Sequence, residues 1–211
     1  MTKSYKDISM AVIRRLPKYH RYLKELLEKE VYRISSKELS GIMGLTASQI
    51  RQDFNNFGGF GQQGYGYNVE ELYGEIQKIL GLNTSYKCVI VGSGNLGQAI
   101  ANYSDFKRRG FHLKALFDTN PKLIGMKIRD VPICDIDELQ EFIDKERVDI
   151  GIICTPKEFA QDVANKLIKS GVSAIWNFAP LDLKVPEDII IENVHLSDSL
   201  ITISYLLSNT Q

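Results

Sequence analysis

Six residues, Gly92-Ser93-Gly94-Asn95-Leu96-Gly97, interrupt the chain between two apolar runs, 88–91 and 112–117. Asp118 closes the second run, 21 residues after Gly97 (118 minus 97). Each residue type has a physical use at its place. A glycine at 92 permits a tight turn out of a strand. A glycine at 94 lets a pyrophosphate approach the backbone, and one at 97 lets a helix pack closely on a sheet. Ser93, Asn95 and Leu96 complete the cradle, and the free N–H groups and positive dipole end of the following helix suit phosphate. A carboxylate about 20 residues further on accepts hydrogen bonds from both ribose hydroxyls and repels a 2′-phosphate. Thr119-Asn120 bring no arginine to offset that repulsion. The chemistry is binding of NAD(H) rather than NADP(H). The glycine pattern alone also occurs in turns that bind nothing; the strand before, the helix after and the acid at the right distance favour the site.

The elements that must position this cradle follow from periodicity. Leu96, Ile100, Tyr103 and Phe106 recur at helical spacing, and the turn 107–110 ends that helix. Pro121 and Gly125 mark a loop. The segment 131–133 reads as an edge strand, because Pro132 removes a ladder donor. Asp135 or Asp137 caps a helix containing Leu139, Phe142 and Ile143. An apolar strand over 149–154 stops at Thr155-Pro156, a helix over 159–169 leads to a strand over 174–178, and 189–191 forms a last strand. In such sheets ligands bind beyond the carboxyl ends of the strands, which places Thr155, Pro156, Asn177 and Phe178 on the ligand edge. Phe178 either packs on a nicotinamide ring or is a core aromatic. A terminal helix over 196–207 carries no Lys or Arg and presents Leu196, Leu200, Ile203, Leu206 and Leu207. It must bury that surface, either on a second subunit or on its own sheet.

The first third has a different character. Residues 1–68 hold 11 Lys/Arg against 6 Asp/Glu, a net +5, and the remainder balances this at −5. A helix from Asp7 or Ser9 is broken at Pro17, and a second runs over 19–29. Ser35-Ser36-Lys37-Glu38 and Thr46-Ala47-Ser48-Gln49 read as capping boxes for helices over 36–43 and 47–55, joined by Gly44-Leu45. Two short helices on a tight glycine turn form a helix-turn-helix pattern. In the second of them Ile50 and Phe54 face inward, while Ser48, Arg51, Gln52 and Asn55 face outward. Arginine forks onto guanine and Gln or Asn onto adenine, so this face suits a DNA groove, although many helices have a solvated polar face. The glycine- and aromatic-rich stretch 57–67 suits a hairpin whose tip, with Gly64, Tyr65 and Gly66, lies against a phosphate backbone or minor groove. Asn68 caps a helix over 69–79, and 81–85 reads as a linker.

Composition narrows the class. Hydrophobic content of 44% and charged content of 25% are ordinary for a soluble protein. No apolar run approaches a membrane span, and the first ten residues lack the apolar core of a signal peptide, so a cytoplasmic location without membrane is expected. Cys88, Cys134 and Cys154 are too scattered for a disulfide framework or a metal site. No His–Asp dyad is evident at the ligand edge, and no substrate domain follows the sheet, so a catalytic site is not expected. A small NAD-dependent oxidoreductase and a CoA-binding enzyme subunit are the rival readings.

Nearly the whole chain resembles the Rex family of redox-sensing transcriptional repressors. The resemblance rests on Arg15-Leu16-Pro17, Ser48-Gln49-Ile50-Arg51-Gln52-Asp53, residues 57–61, Gly64-Tyr65-Gly66-Tyr67, residues 91–97 and Asn177-Phe178-Ala179-Pro180. It implies an α/β chain with a winged-helix DNA-binding domain over 1–80, a Rossmann NAD(H)-binding doubly wound parallel sheet over 85–195, and an exchanged dimerisation helix over 196–211. It implies a homodimer on a two-fold double-stranded operator that NADH releases, with NAD+ and NADH as ligands. It adds Arg15 and Gln49 to the DNA-binding residues and Tyr103 to the cofactor site. The chain departs from the family at Gln52 and at Gln62-Gln63, where cations are usual, and at His195, where an acid is frequent.

Overall fold

A computed structural model describes residues 8–58, 60 and 65–210. The chain divides into two compact units, Met1–Thr84 and Ser85–Gln211.

The first unit contains α1 (Met10–Ile13), α2 (Leu16–Glu28), β1 (Arg33–Ile34), α3 (Ser36–Met43), α4 (Ala47–Asn55), β2 (Tyr67–Asn68) and α5 (Val69–Ile79). Local chemistry fixes the ends of these helices. Ser35 and Glu38 form a reciprocal capping box on α3, Thr46 accepts from the Gln49 N–H at the start of α4, and Asn68 accepts from Glu70 and Glu71 on α5. Gly44 ends α3 in the left-handed conformation, and Lys18 Nζ donates to the Met43 carbonyl at 2.8 Å. One core joins the helices: Tyr19 and Leu23 of α2, Leu39 of α3, Ile50 and Phe54 of α4, and Leu72 and Ile76 of α5. β1 and β2 pair antiparallel, with Ile34 opposite Tyr67. This is a helix-turn-helix unit with the short strand ladder of a winged helix. α2 begins three residues earlier than its apolar pattern suggests. Pro17 opens that helix rather than only ending the one before, because its missing N–H is harmless in a first turn.

The second unit contains β3 (Tyr86–Val91), α6 (Asn95–Ala101), α7 (Asp105–Arg108), β4 (Phe111–Asp118), β5 (Lys127–Ile128), β6 (Val131–Asp135), α8 (Leu139–Glu146), β7 (Ile150–Ile153), α9 (Lys157–Lys169), β8 (Ala174–Asn177), β9 (Ile190–Asn193) and α10 (Leu196–Ser208). The sheet runs β5-β6-β4-β3-β7-β8-β9, parallel throughout except for the β5–β6 pair. Its six parallel strands stand in the order third, second, first, fourth, fifth, sixth, which is that of a Rossmann fold.

Alternate residues of each strand serve opposite faces. Val89, Val91, Ala115, Phe117 and Ile153 pack under α8 and α9. Cys88, Ile90, Leu116, Ile133 and Ile152 face the other way. Only α6 and α7 follow on that side, because the β4–β6 and β8–β9 connections carry no α-helix. An open groove of about 730 Å³ remains there, lined by Ile90, Phe106, Leu113, Ile152, Trp176 and Ile190 among others.

Two expectations are corrected in this unit, and one open alternative is decided. β6 is not an edge strand: it pairs with β4 from Ile133 onward, one residue after Pro132, and the two-residue β5 forms the edge. Pro132 therefore withholds no donor from the parallel ladder. The helix after the glycine loop is two helices, interrupted over 102–104. There Asn102 donates its side-chain amide to the Gln98 carbonyl, and Tyr103 turns outward to meet Phe106 edge-on at 4.8 Å. Asn and Ser compete with the helical backbone in this way. Finally, α10 does not dock on its own sheet: its apolar side chains range from 50% exposed at Ile203 to 68% at Leu200. Among the described residues, no helix is long and apolar enough to cross a membrane.

Candidate functional site

The glycine loop lies where β3 and β7, neighbours in the sheet, send their connections to opposite sides. Such a switch point opens a crevice at the carboxyl edge of the sheet. Gly92 has φ +100°, and a Cβ on it would stand 2.7 Å from the Cys154 carbonyl oxygen. A Cβ on Gly97 would stand 2.0 Å from the Gly92 oxygen and 3.4 Å from Ile90 Cγ2, so the helix rests on the loop at glycine distance. A Cβ on Gly94 would meet nothing within 4 Å. The three glycines thus divide into two that packing requires and one that faces open space.

The side chains around the loop are arranged to hold a polar ligand. Asp118, at the end of β4, accepts from the Ser93 N–H at 2.6 Å through one oxygen and from the Asn120 N–H at 2.9 Å through the other. Each carboxylate oxygen keeps a lone pair for a ribose hydroxyl. Gln98 Nε2 donates to the Ser93 carbonyl at 2.8 Å, so the Ser93 peptide is held at both ends. Two buried hydroxyls flank the switch point without a protein partner, Ser93 Oγ and Thr155 Oγ1. Buried hydroxyls without partners are rare in native proteins, and here they mark a place built to be completed by a polar group. An NAD-type dinucleotide fits this donor set.

The rest of the edge is set by β8. Asn177 is fully buried, and Phe178 is half-buried with its ring 4.5 Å from that of Trp176. Burial pushes the Cys88 and Cys154 thiols up to about 12, so both are protonated at neutral pH and supply no thiolate chemistry. His195 bonds to Asp182 at 3.0 Å, and that carboxylate raises its imidazole above the ordinary value.

In the first unit, Ser48, Arg51, Gln52 and Asn55 lie exposed on α4, with Gln49 half-buried beside them. Arg51 donates to Ser36 Oγ at 2.9 Å, an exposed bond that is cheaply exchanged for another partner. Tyr65 is 71% exposed. A Cβ on Gly66 would stand 2.7 Å from the Ile34 oxygen. Gly64 lies outside the described residues.

Comparison with known proteins covers both units. The family model described as CoA binding domain matches residues 83–181, and the one described as Putative DNA-binding protein N-terminus matches residues 7–55. The redox-sensing transcriptional repressor Rex of Thermoanaerobacter pseudethanolicus is 63% identical over 211 residues, covering 100% of this chain and 94% of the relative. The chain belongs to the Rex family. A solved structure of RSP in complex with beta-NAD+ and operator DNA is 64% identical, with a TM-score of 0.92, covering 96% of this chain and 94% of the other. A second, RSP in complex with beta-NADH, is 60% identical with a TM-score of 0.90, covering 97% and 96%. Membership of Rex over the full length displaces the readings as an oxidoreductase or a CoA-binding enzyme subunit.

Within this Rex chain one expected contact is placed in a way the sequence did not suggest. Arg15 turns inward: its Nε and Nη2 each donate at 2.7 Å to Asp53, whose carboxylate also accepts from the Tyr19 hydroxyl at 2.8 Å. Asp53 is 2% exposed and sits in the last turn of α4. Arg15 therefore braces the helix that carries Arg51 and Gln52, and its fork is occupied. Sequence reasoning missed Asp53 as a structural residue. The available signal was its phase: Asp53 directly precedes inward-facing Phe54, and a lone acid on the buried side of a helix requires a cation.

Proposed function

We infer that the chain is a DNA-binding transcriptional repressor that senses the NADH/NAD+ ratio and releases its operator when NADH occupies the Rossmann unit. The observation that carries this reading is the union, in one chain, of an exposed recognition face on α4 and a glycine crevice completed by Asp118. The RSP structure with beta-NAD+ and operator DNA, 64% identical to it, supports the same union. Gly92, Gly94, Gly97, Ser93, Asn95 and Leu96 receive the pyrophosphate, and Asp118 the adenosine ribose. Thr155, Pro156, Asn177 and Phe178 form the nicotinamide half of the edge, with Tyr103 at the subunit contact. NAD+ carries a charged nicotinamide and NADH a neutral one, so an apolar pocket prefers NADH. The chain is a regulator rather than an enzyme, and we place it in the cytoplasm, where the NADH pool and the operator meet.

A homodimer accounts for two surfaces that a single chain leaves open. α10 offers a row of exposed leucines and isoleucines, and one face of the sheet offers an apolar groove. Apolar areas of this size on a soluble protein are interaction surfaces. Two chains related by a two-fold axis present two α4 helices to a two-fold operator, with half-sites spaced about 34 Å or a multiple. NADH shifts the population toward a dimer with another spacing, by as much as its affinity for the two arrangements differs. Titrating NADH into a labelled protein–operator complex, followed by anisotropy, tests this. Release at NADH saturation is expected, and unchanged affinity overturns the reading.

Two substitutions separate the sites. Arg51→Ala is expected to cost about 1–3 kcal/mol of operator binding and to relax preference at one base pair. Equal weakening on every sequence would reassign Arg51 to phosphate. Asp118→Ala removes charge-assisted bonds to the ribose, a loss of about 1.5–3 kcal/mol. Calorimetric titration should show NADH affinity falling while operator affinity without NADH stays the same. An unaltered titration removes Asp118 from the site.

A further inference from the structure

The nicotinamide edge and the root of α10 are joined through the short loop 178–182. β8 ends at Asn177 and β9 at Asn193, which are partners in the parallel ladder. The Val194 N–H donates to the Asn177 carbonyl at 2.8 Å. The fully buried Asn177 side chain donates to Asn193 Oδ1 at 2.8 Å and to the Leu181 carbonyl at 2.7 Å, and it accepts from the Ala179 N–H at 3.0 Å. One amide thus fixes both the loop that carries Phe178 and the strand end that launches α10. The loop then reaches forward a second time. His195 is the N-cap residue of α10, but its side chain makes no cap bond to that helix. Its Nε2 pairs instead with Asp182 Oδ1 at 3.0 Å, in a contact where Asp182 is 81% exposed and His195 27%.

We propose that this loop couples the two ends: Asn177 is the fixed tie, and the His195–Asp182 contact is a releasable clasp that sets the direction in which α10 leaves the sheet according to what the nicotinamide edge holds. The proposal rests on the repressor reading above. It assigns His195 and Asp182 as positioning residues for the response, in contact with neither cofactor nor DNA. The division of labour follows from burial. Asn177 cannot move without breaking several buried hydrogen bonds at once. The clasp lies in solvent and opens without disturbing the core. Coupling of this kind is a ratio of affinities, so its loss appears as a smaller ratio while each separate affinity is kept.

The test uses full-length chains carrying His195→Ala, Asp182→Ala or His195→Gln, the last keeping a donor close to the Nε2 position. Operator affinity is measured with and without saturating NADH, and NADH affinity is measured on the free protein. For the two alanine variants we expect NADH affinity and NADH-free operator affinity within about twofold of wild type, with the NADH-induced drop in operator affinity reduced about fivefold or more. His195→Gln should retain the wild-type drop. An undiminished drop in both alanine variants overturns the coupler, as does a diminished drop matched by an equal loss of NADH affinity, which would make the loop part of the binding site. A wild-type chain whose operator affinity ignores NADH overturns the repressor reading itself, a result distinct from either of these.

Discussion

Gly94→Ala is expected to abolish most NADH binding in a chain that folds normally, whereas Gly97→Ala is expected to unfold the NADH-binding unit. The two positions lie three residues apart in one motif, and the same methyl group has opposite consequences. At Gly94 the backbone is ordinary and the added Cβ meets nothing within 4 Å, so the free protein gains no clash. In the proposed site the methyl occupies the space through which a pyrophosphate approaches the main chain. Forcing an extra methyl into a fitted contact costs about 1–3 kcal/mol, or roughly 10- to 100-fold in affinity. At Gly97 the added Cβ would stand 2.0 Å from the Gly92 oxygen, a backbone atom pinned in turn by the close approach of Gly92 to Cys154. α6 must lift off the loop, and a displacement of that kind belongs with the substitutions that cost more than about 4 kcal/mol, comparable to the whole stability of a small domain. Thermal unfolding paired with calorimetric NADH titration separates the outcomes. Gly94→Ala should melt like wild type and bind poorly, and Gly97→Ala should lose the transition of its own unit. If Gly94→Ala binds NADH normally, the pyrophosphate does not cross that backbone.

The contrast shows what a glycine motif discloses and what it hides. Spacing identified three glycines and an acid, because strand, turn and helix have fixed lengths and a carboxylate must arrive at the end of the next strand. The capped helices are equally legible, since Ser35 and Glu38 cap α3 reciprocally and Thr46 accepts from the Gln49 N–H on α4, a cap without the return bond of a box, and neither needs tertiary help. What escaped the sequence was set by partners distant in the chain. The interruption at 102–104 falls inside a continuous apolar period, and Tyr103 fits that period while pointing outward. Pro132 read as an edge because the short β5, which shields it, has only two residues and no periodicity of its own. The terminal helix announced a need for burial, and only the structure excludes its own sheet as the place. Ser93 and Thr155 were placed at the crevice by position; that both hydroxyls are buried without protein partners depends on the turn geometry of two separate strands.

Arg15→Ala should damage the first unit as a core truncation would, although Arg15 lies outside the recognition helix. Its guanidinium holds both oxygens of Asp53, and the Tyr19 hydroxyl adds a third bond to the same carboxylate. Removing the cation leaves a charge that is 2% exposed with one neutral donor. Breaking a buried pair from one side costs about 3–5 kcal/mol, and the lower figure applies here because the Arg15 side chain is itself 22% exposed. The loss falls on α4, which carries Asp53 together with the proposed groove-reading residues Arg51 and Gln52, so operator binding should collapse with it. Hydrogen exchange of the α4 amides reads this unit directly, without interference from the unfolding of the Rossmann sheet. Arg15→Met combined with Asp53→Leu, both in a Tyr19→Phe background so that no buried hydroxyl is left without an acceptor, tests the cause. Replacing both charges with apolar groups of similar volume is often neutral, so protection of α4 should return to within about 1 kcal/mol of wild type. If Arg15→Ala alone leaves that protection unchanged, the pair does not brace the helix. If the double substitution is as damaging as the single one, the damage comes from lost packing along the arginine stem rather than from a stranded carboxylate.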